Sequence, residues 1–217
     1  MIVNLNLQDK TVVVVGAGKE AQKRVDSLLK QNCKIIVISD STELQIRRWS
    51  ENKKITLIKE KVKNMKFISK FKPNIIITTT DDEKINQEII KEAKRKNILV
   101  YSSDNPENSD FSNPAIIDFE KIIQVAVFTG GRSPAMAKKL RNESKKVFKE
   151  IISKEDIAQI KIQKISREIV KETITTQKQR KMCIQRIMSD NEIKQLIKDN
   201  QIKKAEKRAI TIIENWK

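Results

Sequence analysis

Histidine is absent from the 217 residues of this sequence. That absence excludes Ser-His-Asp catalysis, Cys-His catalysis and histidine metal ligation within the chain. Any acid–base chemistry falls to Asp, Glu, Lys, Tyr or Cys. Cysteine occurs twice, at Cys33 and Cys183, with no metal-type spacing, so both read as reduced thiols and no metal site is expected. Aromatic residues make up 4% of the chain. After position 110, Phe111, Phe119, Phe128 and Phe148 are the ones that precede Trp216, and they offer no row of stacking platforms for single strands. A nucleic-acid partner is therefore not expected. No apolar run has the length of a membrane span. The start, MIVNLNLQDK, lacks a basic segment followed by an apolar core. No membrane partner and no signal peptide are expected, and the expected compartment is the cytoplasm.

What the sequence has in excess is positive charge. Forty-five Lys and Arg face 28 Asp and Glu, a formal net charge of +17. Residues 132–217 carry 23 basic and 11 acidic residues, a net of +12. Such an excess attracts polyanions: nucleic acid, an anionic membrane surface or a polycarboxylate ligand. For most of these lysines a solvated surface is the better reading.

The chain is organised around Thr11–Arg24, TVVVVGAGKEAQKR. Val12–Val15 read as a strand buried on both faces. Lys19 opens a helix expected to reach Gln31, with Ala21, Val25, Leu28 and Leu29 on one face. Between them lies G-x-G-x-x-A: Gly16, Gly18 and Ala21. Gly16 permits the tight turn, Gly18 lets backbone approach a pyrophosphate, and Ala21 lets the helix sit close to the strand. The helix start then offers free N–H groups to phosphate. Strands follow at Lys34–Ile38, Ile55–Ile58, Asn74–Thr79 and Ile98–Tyr101. Helical segments lie at Thr42–Glu51, Phe67–Phe71 and Asp82–Lys96, the last with Ile85, Ile89, Ile90 and Ala93 on one face. Alternation of this kind means α/β architecture with a parallel, doubly wound sheet whose ligand lies beyond the strand ends.

Asp40 and Ser41 stand at the end of the second strand, where a carboxylate can accept bonds from both ribose hydroxyls and repel a 2′-phosphate. NAD is thus expected over NADP. An N-cap role for Asp40, Ser41 or Thr42 is equally readable. Thr79 and Thr80 close the fourth strand at the same edge and should border the cofactor, with Asp81 or Asp82 capping the next helix. Residues 102–114 form a polar loop. Strands at Ala115–Asp118 and Ile122–Val127 lead into Gly130-Gly131, then Ser133 as N-cap and Pro134 at the first position of a helix running to Ile152.

GAGKEAQKR, TTTDDEKINQEI, SSDNPENSDFSNPAIID and VAVFTGGRSPAMAKKLR occur in this order, and over roughly residues 1–150 the chain resembles the precorrin-2 dehydrogenase / sirohydrochlorin ferrochelatase family. These proteins are the N-terminal module of sirohaem synthase and its stand-alone relatives, and the stand-alone form is expected here. The resemblance implies an NAD-binding Rossmann domain, here residues 1–112. A small α+β dimerisation region, 113–152, and a helical C-terminal domain, 153–217, would follow. It implies a homodimer, the substrate precorrin-2, the product sirohydrochlorin and, in some members, insertion of Fe²⁺. Lys19 and Glu20 match cofactor-loop positions. Asp104 matches the family's active-site aspartate, proposed for proton abstraction, although Asn105-Pro106 beside it also permits a turn or Asx-cap role. Without histidine a carboxylate is a sensible base, and burial beside the macrocycle is expected to raise its pKa. Arg132, Lys138, Lys139 and Arg141 lie beside the glycine turn and could pair with substrate carboxylates.

From residue 153 on there is neither Gly nor Pro, and apolar residues recur at helical spacing with a break at Ser189-Asp190-Asn191. The expected function is NAD-dependent oxidation of precorrin-2. The alternatives are a bifunctional dehydrogenase and ferrochelatase, or an NAD-sensing or nucleic-acid-binding protein using the basic helical tail.

Overall fold

The computed structural model describes residues 2–216. The chain divides into two compact units that meet in sequence at Asn113 and Pro114. The first is built on a five-stranded parallel sheet: β1 (Thr11–Val15), β2 (Lys34–Ile38), β3 (Thr56–Ile58), β4 (Ile75–Thr78) and β5 (Leu99–Ser102), in spatial order β3-β2-β1-β4-β5. Helices α1 (Lys19–Leu28), α2 (Leu44–Glu51), α3 (Lys66–Phe71) and α4 (Glu83–Arg95) connect them.

Period-two alternation of β-branched residues feeds a core on each face. Val12, Val14, Ile35, Val37, Ile75 and Ile77 pack with Ala21 and Val25 of α1 and Ile46 and Trp49 of α2. Val13, Val15, Ile36, Ile38 and Ile76 pack with Phe67 and Ile68 of α3 and Ile89, Ile90 and Ala93 of α4. Strand order reverses between β1 and β4. The loops after these two strands diverge there and open a crevice at the carboxyl end of the sheet.

Most boundaries differ from expectation by a residue; two helix boundaries shift further, and one helix face differs. Helix α1 stops at Leu28, because Lys30 and Gln31 turn back through N–H bonds to the Ser27 and Leu28 carbonyls, and Asn32 takes a positive φ. Helix α2 begins at Leu44, not Thr42, with Glu43 at its N-cap. On α4 the fully buried residue beside Ile89, Ile90 and Ala93 is Asn86, while Ile85 is half-buried.

In the second unit β6 (Ala115–Phe119) and β7 (Ile123–Val127) form an antiparallel hairpin. It turns at Glu120 and Lys121, both at positive φ. Helix α5 (Pro134–Ile151) follows, started by Ser133, whose Oγ accepts the Met136 N–H at 3.2 Å. None of its 18 residues is buried. Helices α6 (Lys154–Thr173), α7 (Gln177–Ser189), α8 (Asn191–Lys198) and α9 (Ile202–Glu214) then enclose their own core of Ile162, Val170, Cys183, Ile187, Ile197 and Ile213. Asp190 caps α8 by accepting the Ile193 N–H at 2.9 Å. Among the described residues no helix is long and apolar enough to cross a membrane.

Candidate active site

The turn after β1 explains why glycine recurs there. Gly16 has φ +103°, and a Cβ on it would lie 2.6 Å from Thr79 Oγ1 and 2.9 Å from the Thr79 carbonyl oxygen. The close approach comes from sheet pairing, since Thr79 N–H donates to the Val15 carbonyl at 2.8 Å. Gly18 is different. A Cβ there would meet nothing within 4 Å, so its bare backbone faces open space. Gly18 is also the N-cap of α1 and supplies no side-chain acceptor, which leaves the first-turn N–H groups of that helix for a ligand. Ala21 is fully buried, as close helix–sheet packing requires.

These residues line a cleft of about 600 Å³ together with Lys19, Glu20, Ile38–Ser41, Glu60–Val62 and Thr79–Asp82. All the cofactor-binding residues expected on the first unit, apart from buried Ala21 behind the turn, therefore border one crevice. Asp40 is exposed at the end of β2, and its carboxylate accepts the Ser41 N–H at 2.9 Å. It does not cap α2, so the capping alternative falls. Glu20 turns toward its own helix, pairing with Lys23 at 3.0 Å and with Arg24. Partial burial pushes its pKa up, but the two cations outweigh this and hold it below the usual carboxylate range. Thr79 Oγ1 donates to the Val15 carbonyl at 3.1 Å. The uncapped helix start, the bare Gly18 and the acid at the end of β2 fit a dinucleotide.

Asp104 lies two residues beyond β5, inside a network absent from the sequence reading. Ser102 Oγ donates to Asp104 Oδ1, and Asn86 Nδ2 donates to Asp104 Oδ2 at 2.9 Å. Thr78 Oγ1 lies 2.5 Å from Ser102 Oγ; with the serine proton committed to Asp104, the threonine is the donor. Thr78 and Ser102 face each other in register across β4 and β5. Asn86 also donates to the Thr80 carbonyl at 2.9 Å and accepts from Thr80 Oγ1 at 2.7 Å. Thr78, Asn86 and Ser102 are fully buried. Asn105, not Asp104, caps the short 3₁₀ turn Pro106–Asn108.

This network reverses one expectation. Burial does push the Asp104 carboxyl up, but the hydrogen bonds from Ser102, Asn86 and the backbone of Asp104 and Asn105 outweigh it. The group sits below the usual carboxylate range, ionised at neutral pH and thus a proton acceptor. Sequence reasoning missed Asn86, Ser102 and Thr78. A signal was available: Asn86 shares its helical face with Ile89, Ile90 and Ala93, and a polar residue on a buried face needs a partner.

Arg132, Lys138, Lys139 and Arg141 belong to the second unit. Arg132, Lys138 and Lys139 are exposed, and Arg141 is half-buried. Lys139 approaches Glu143 at 4.0 Å, and Arg141 donates to Asn142 Oδ1. Gly130 and Gly131 both take positive φ, and Thr129 Oγ1 donates to the Ser133 carbonyl at 3.1 Å, closing the turn. Among the described residues no group of three His, Cys, Asp or Glu side chains is placed to hold a metal ion.

The sheet order and the glycine cradle define the first unit as a Rossmann-type dinucleotide-binding domain. A family model described as "Putative NAD(P)-binding" matches residues 3–115. A Methanocaldococcus jannaschii protein named "Putative precorrin-2 dehydrogenase" is 31% identical over 204 residues, covering 89% of this chain and 92% of that one. The chain belongs to the precorrin-2 dehydrogenase family. Siroheme synthases of Nitrosococcus oceani and Methylococcus capsulatus are 31% and 36% identical over 137 residues, 63% of this chain and 28% of each synthase. The chain thus spans about a quarter of the length of those synthases. The solved structure of "SirC, precorrin-2 dehydrogenase" superposes with a TM-score of 0.71 at 18% identity, covering 96% of this chain and 99% of that one, and so shares the fold.

Proposed function

We propose that this protein oxidises precorrin-2 to sirohydrochlorin with NAD⁺, yielding NADH and one proton. The observation that carries the reading is the hydrogen-bonded link from the cofactor cleft to a single ionised carboxylate. Thr80 lines the cleft, Asn86 bonds Thr80, and Asn86 bonds Asp104. When bound, NAD⁺ supplies the hydride acceptor. The chain's residues do the rest. The α1 start and Gly18 receive the pyrophosphate, and Asp40 takes the ribose hydroxyls and disfavours a 2′-phosphate. Asp104 accepts the proton that leaves precorrin-2 and later yields it to water. Arg132, Lys138, Lys139 and Arg141 offer cations to the substrate's carboxylates.

We further propose that residues 113–152 form a homodimer interface, leaving 1–112 as the cofactor domain and 153–217 as the helical domain. Support comes from α5, where Met136, Leu140, Val147 and Ile151 form one exposed apolar stripe, with Ile116 and Phe128 of the hairpin region also exposed. An NAD-dependent enzyme of this kind works in the cytoplasm.

The test is anaerobic incubation of precorrin-2 with NAD⁺, followed by NADH absorbance, for wild type and Asp104→Asn. Wild type should form NADH. The variant should bind NAD⁺ normally and form none. A folded wild type that binds NAD⁺ yet forms no NADH would overturn the proposal. Adding Fe²⁺ to the sirohydrochlorin product shows whether insertion exceeds the enzyme-free rate and the protein is also a chelatase.

A further inference from the structure

The amide of Asn86 is fully buried, and both of its N–H donors are used. Nδ2 donates to Asp104 Oδ2 and to the Thr80 carbonyl, both at 2.9 Å, and Oδ1 accepts from Thr80 Oγ1 at 2.7 Å. This set of partners fixes the amide orientation, because a flipped group would place Oδ1 against two acceptors. Packing does not demand an amide here. The same face of α4 carries Ile89, Ile90 and Ala93, and an apolar residue would complete it. Helix capping does not demand it either, since Asp82 Oδ1 already accepts the Ile85 N–H at 3.2 Å. What an apolar residue could not do is hold Asp104.

The other carboxylate oxygen is held separately. Ser102 Oγ donates to Oδ1, with Thr78 Oγ1 behind it at 2.5 Å. Two donors, one from α4 and one from β5, therefore fix both oxygens and with them the carboxylate plane.

We propose that Asn86, seconded by Ser102, is a positioning residue that fixes Asp104 against the cofactor-cleft loop at Thr80. Neither residue reaches the reacting atoms; each acts through Asp104. The inference deepens the dehydrogenase reading and rests on it. A base must point its lone pairs at one proton while hydride leaves toward the cofactor, and tying that base to the loop lining the cofactor cleft sets the two acceptors in register. The lowered pKa of Asp104 agrees with this geometry. The charged side chains on the neighbouring segments are of both signs: Asp81, Asp82, Glu83 and Lys84 at the start of α4, Glu107 in the 3₁₀ turn, Asp110, and Arg24, which donates to the Tyr101 hydroxyl on β5. Asp82 is engaged as a cap, and Asp110 accepts the Val100 N–H at 2.9 Å. Everything that lowers the Asp104 pKa is a hydrogen bond from a neutral donor, so those donors are what keep it ionised.

The experiment uses Asn86→Leu and Ser102→Ala beside wild type and Asp104→Asn. Titration of the Asp104 carboxyl is read by ¹³C NMR on aspartate-labelled protein, with the Asp104→Asn spectrum assigning the resonance. NAD⁺ affinity and the pH profile of kcat/KM are measured in parallel. In both variants the carboxyl should titrate at higher pH than in wild type. The acid limb should move with it, and kcat should fall roughly 10- to 100-fold, the scale of a misplaced catalytic group. In Ser102→Ala, which leaves the Thr80 loop untouched, NAD⁺ affinity should change by less than about threefold, well under the tenfold that 1.4 kcal/mol represents. An unmoved carboxyl titration in both variants overturns the inference. So does a loss of turnover matched by a loss of NAD⁺ affinity with no shift of the acid limb. If Asn86→Leu does not fold, Ser102→Ala decides alone. If wild type forms no NADH, the dehydrogenase reading falls, and the carboxyl titration still decides whether Asn86 and Ser102 hold Asp104.

Discussion

Gly16→Ala and Gly18→Ala should have separable effects, the first on stability and the second on NAD⁺ affinity. At Gly16 an alanine must adopt φ +103°, a strained region for an L side chain that costs roughly 1–3 kcal/mol. Its methyl would also sit 2.6 Å from Thr79 Oγ1 and 2.9 Å from the Thr79 carbonyl oxygen. The hydroxyl can rotate away. The carbonyl cannot, because Thr79 N–H is bonded to the Val15 carbonyl at 2.8 Å, so relief requires β1 and β4 to separate. Overpacking of that kind adds roughly 1–3 kcal/mol. The sum, about 2–6 kcal/mol, is a large fraction of the roughly 5–15 kcal/mol that holds a domain folded. At Gly18 φ is −81° and the methyl would meet nothing within 4 Å, so stability should fall by no more than about 1 kcal/mol, the cost of alanine at an N-cap. NAD⁺ affinity should nevertheless fall roughly tenfold, about 1.4 kcal/mol, as the methyl fills the space a pyrophosphate needs. Denaturant unfolding followed by circular dichroism reads the first effect, and calorimetric titration with NAD⁺ reads the second. A Gly16→Ala protein as stable as wild type would refute the packing argument. A Gly18→Ala protein with undiminished NAD⁺ affinity would refute the cradle.

Asp40→Ala should weaken NAD⁺ and narrow its advantage over NADP⁺, measured by competitive titration; an unchanged preference removes Asp40 from the ribose site. Leu140→Asp, in the middle of the apolar stripe on α5, should convert a dimer to monomer in sedimentation velocity at micromolar concentration, and a wild type that is already monomeric there refutes the interface. Ser153→Ala removes the capping box at the start of α6 and should cost about 1 kcal/mol in unfolding of the second unit. The same box gives a pH effect. Bonds from the Ser153 backbone and hydroxyl hold Asp156 below the usual carboxylate range. Its contribution is therefore complete above the unfolded-state pKa and lost as pH falls through the lower folded value. Unfolding curves taken across that acidic window should show a drop in wild type that Ser153→Ala lacks.

Much of the site was legible because it is local. Gly16, Gly18 and Ala21 follow a buried strand and open a helix, and that context alone predicts a cleft at the strand ends. Asp40 was placed at the edge by counting strands, yet its competing role as a cap stayed open until Glu43 appeared at the start of α2. Asp104 is marked in the sequence by a resemblance alone, and its environment is not legible there. Burial was expected to raise its pKa, because sequence shows that a carboxylate follows a buried strand but not which donors surround it. Those donors come from α4 and β5, 18 and 2 residues away.

The sequence by itself determined the alternating strands and helices, the glycine turn and the helical character of the chain beyond residue 153. Each follows from periodicity and backbone sterics acting over a few residues, which the order of residues states directly. Tertiary structure alone decided that Thr79 crowds Gly16, that Asn86 turns inward to Thr80 and Asp104, and that Asp104 is held ionised. Those facts depend on how β4 and β5 lie beside β1 and how α4 rolls on the sheet. Distances across the fold, rather than spacings along the chain, set which hydrogen bonds a buried polar group can make.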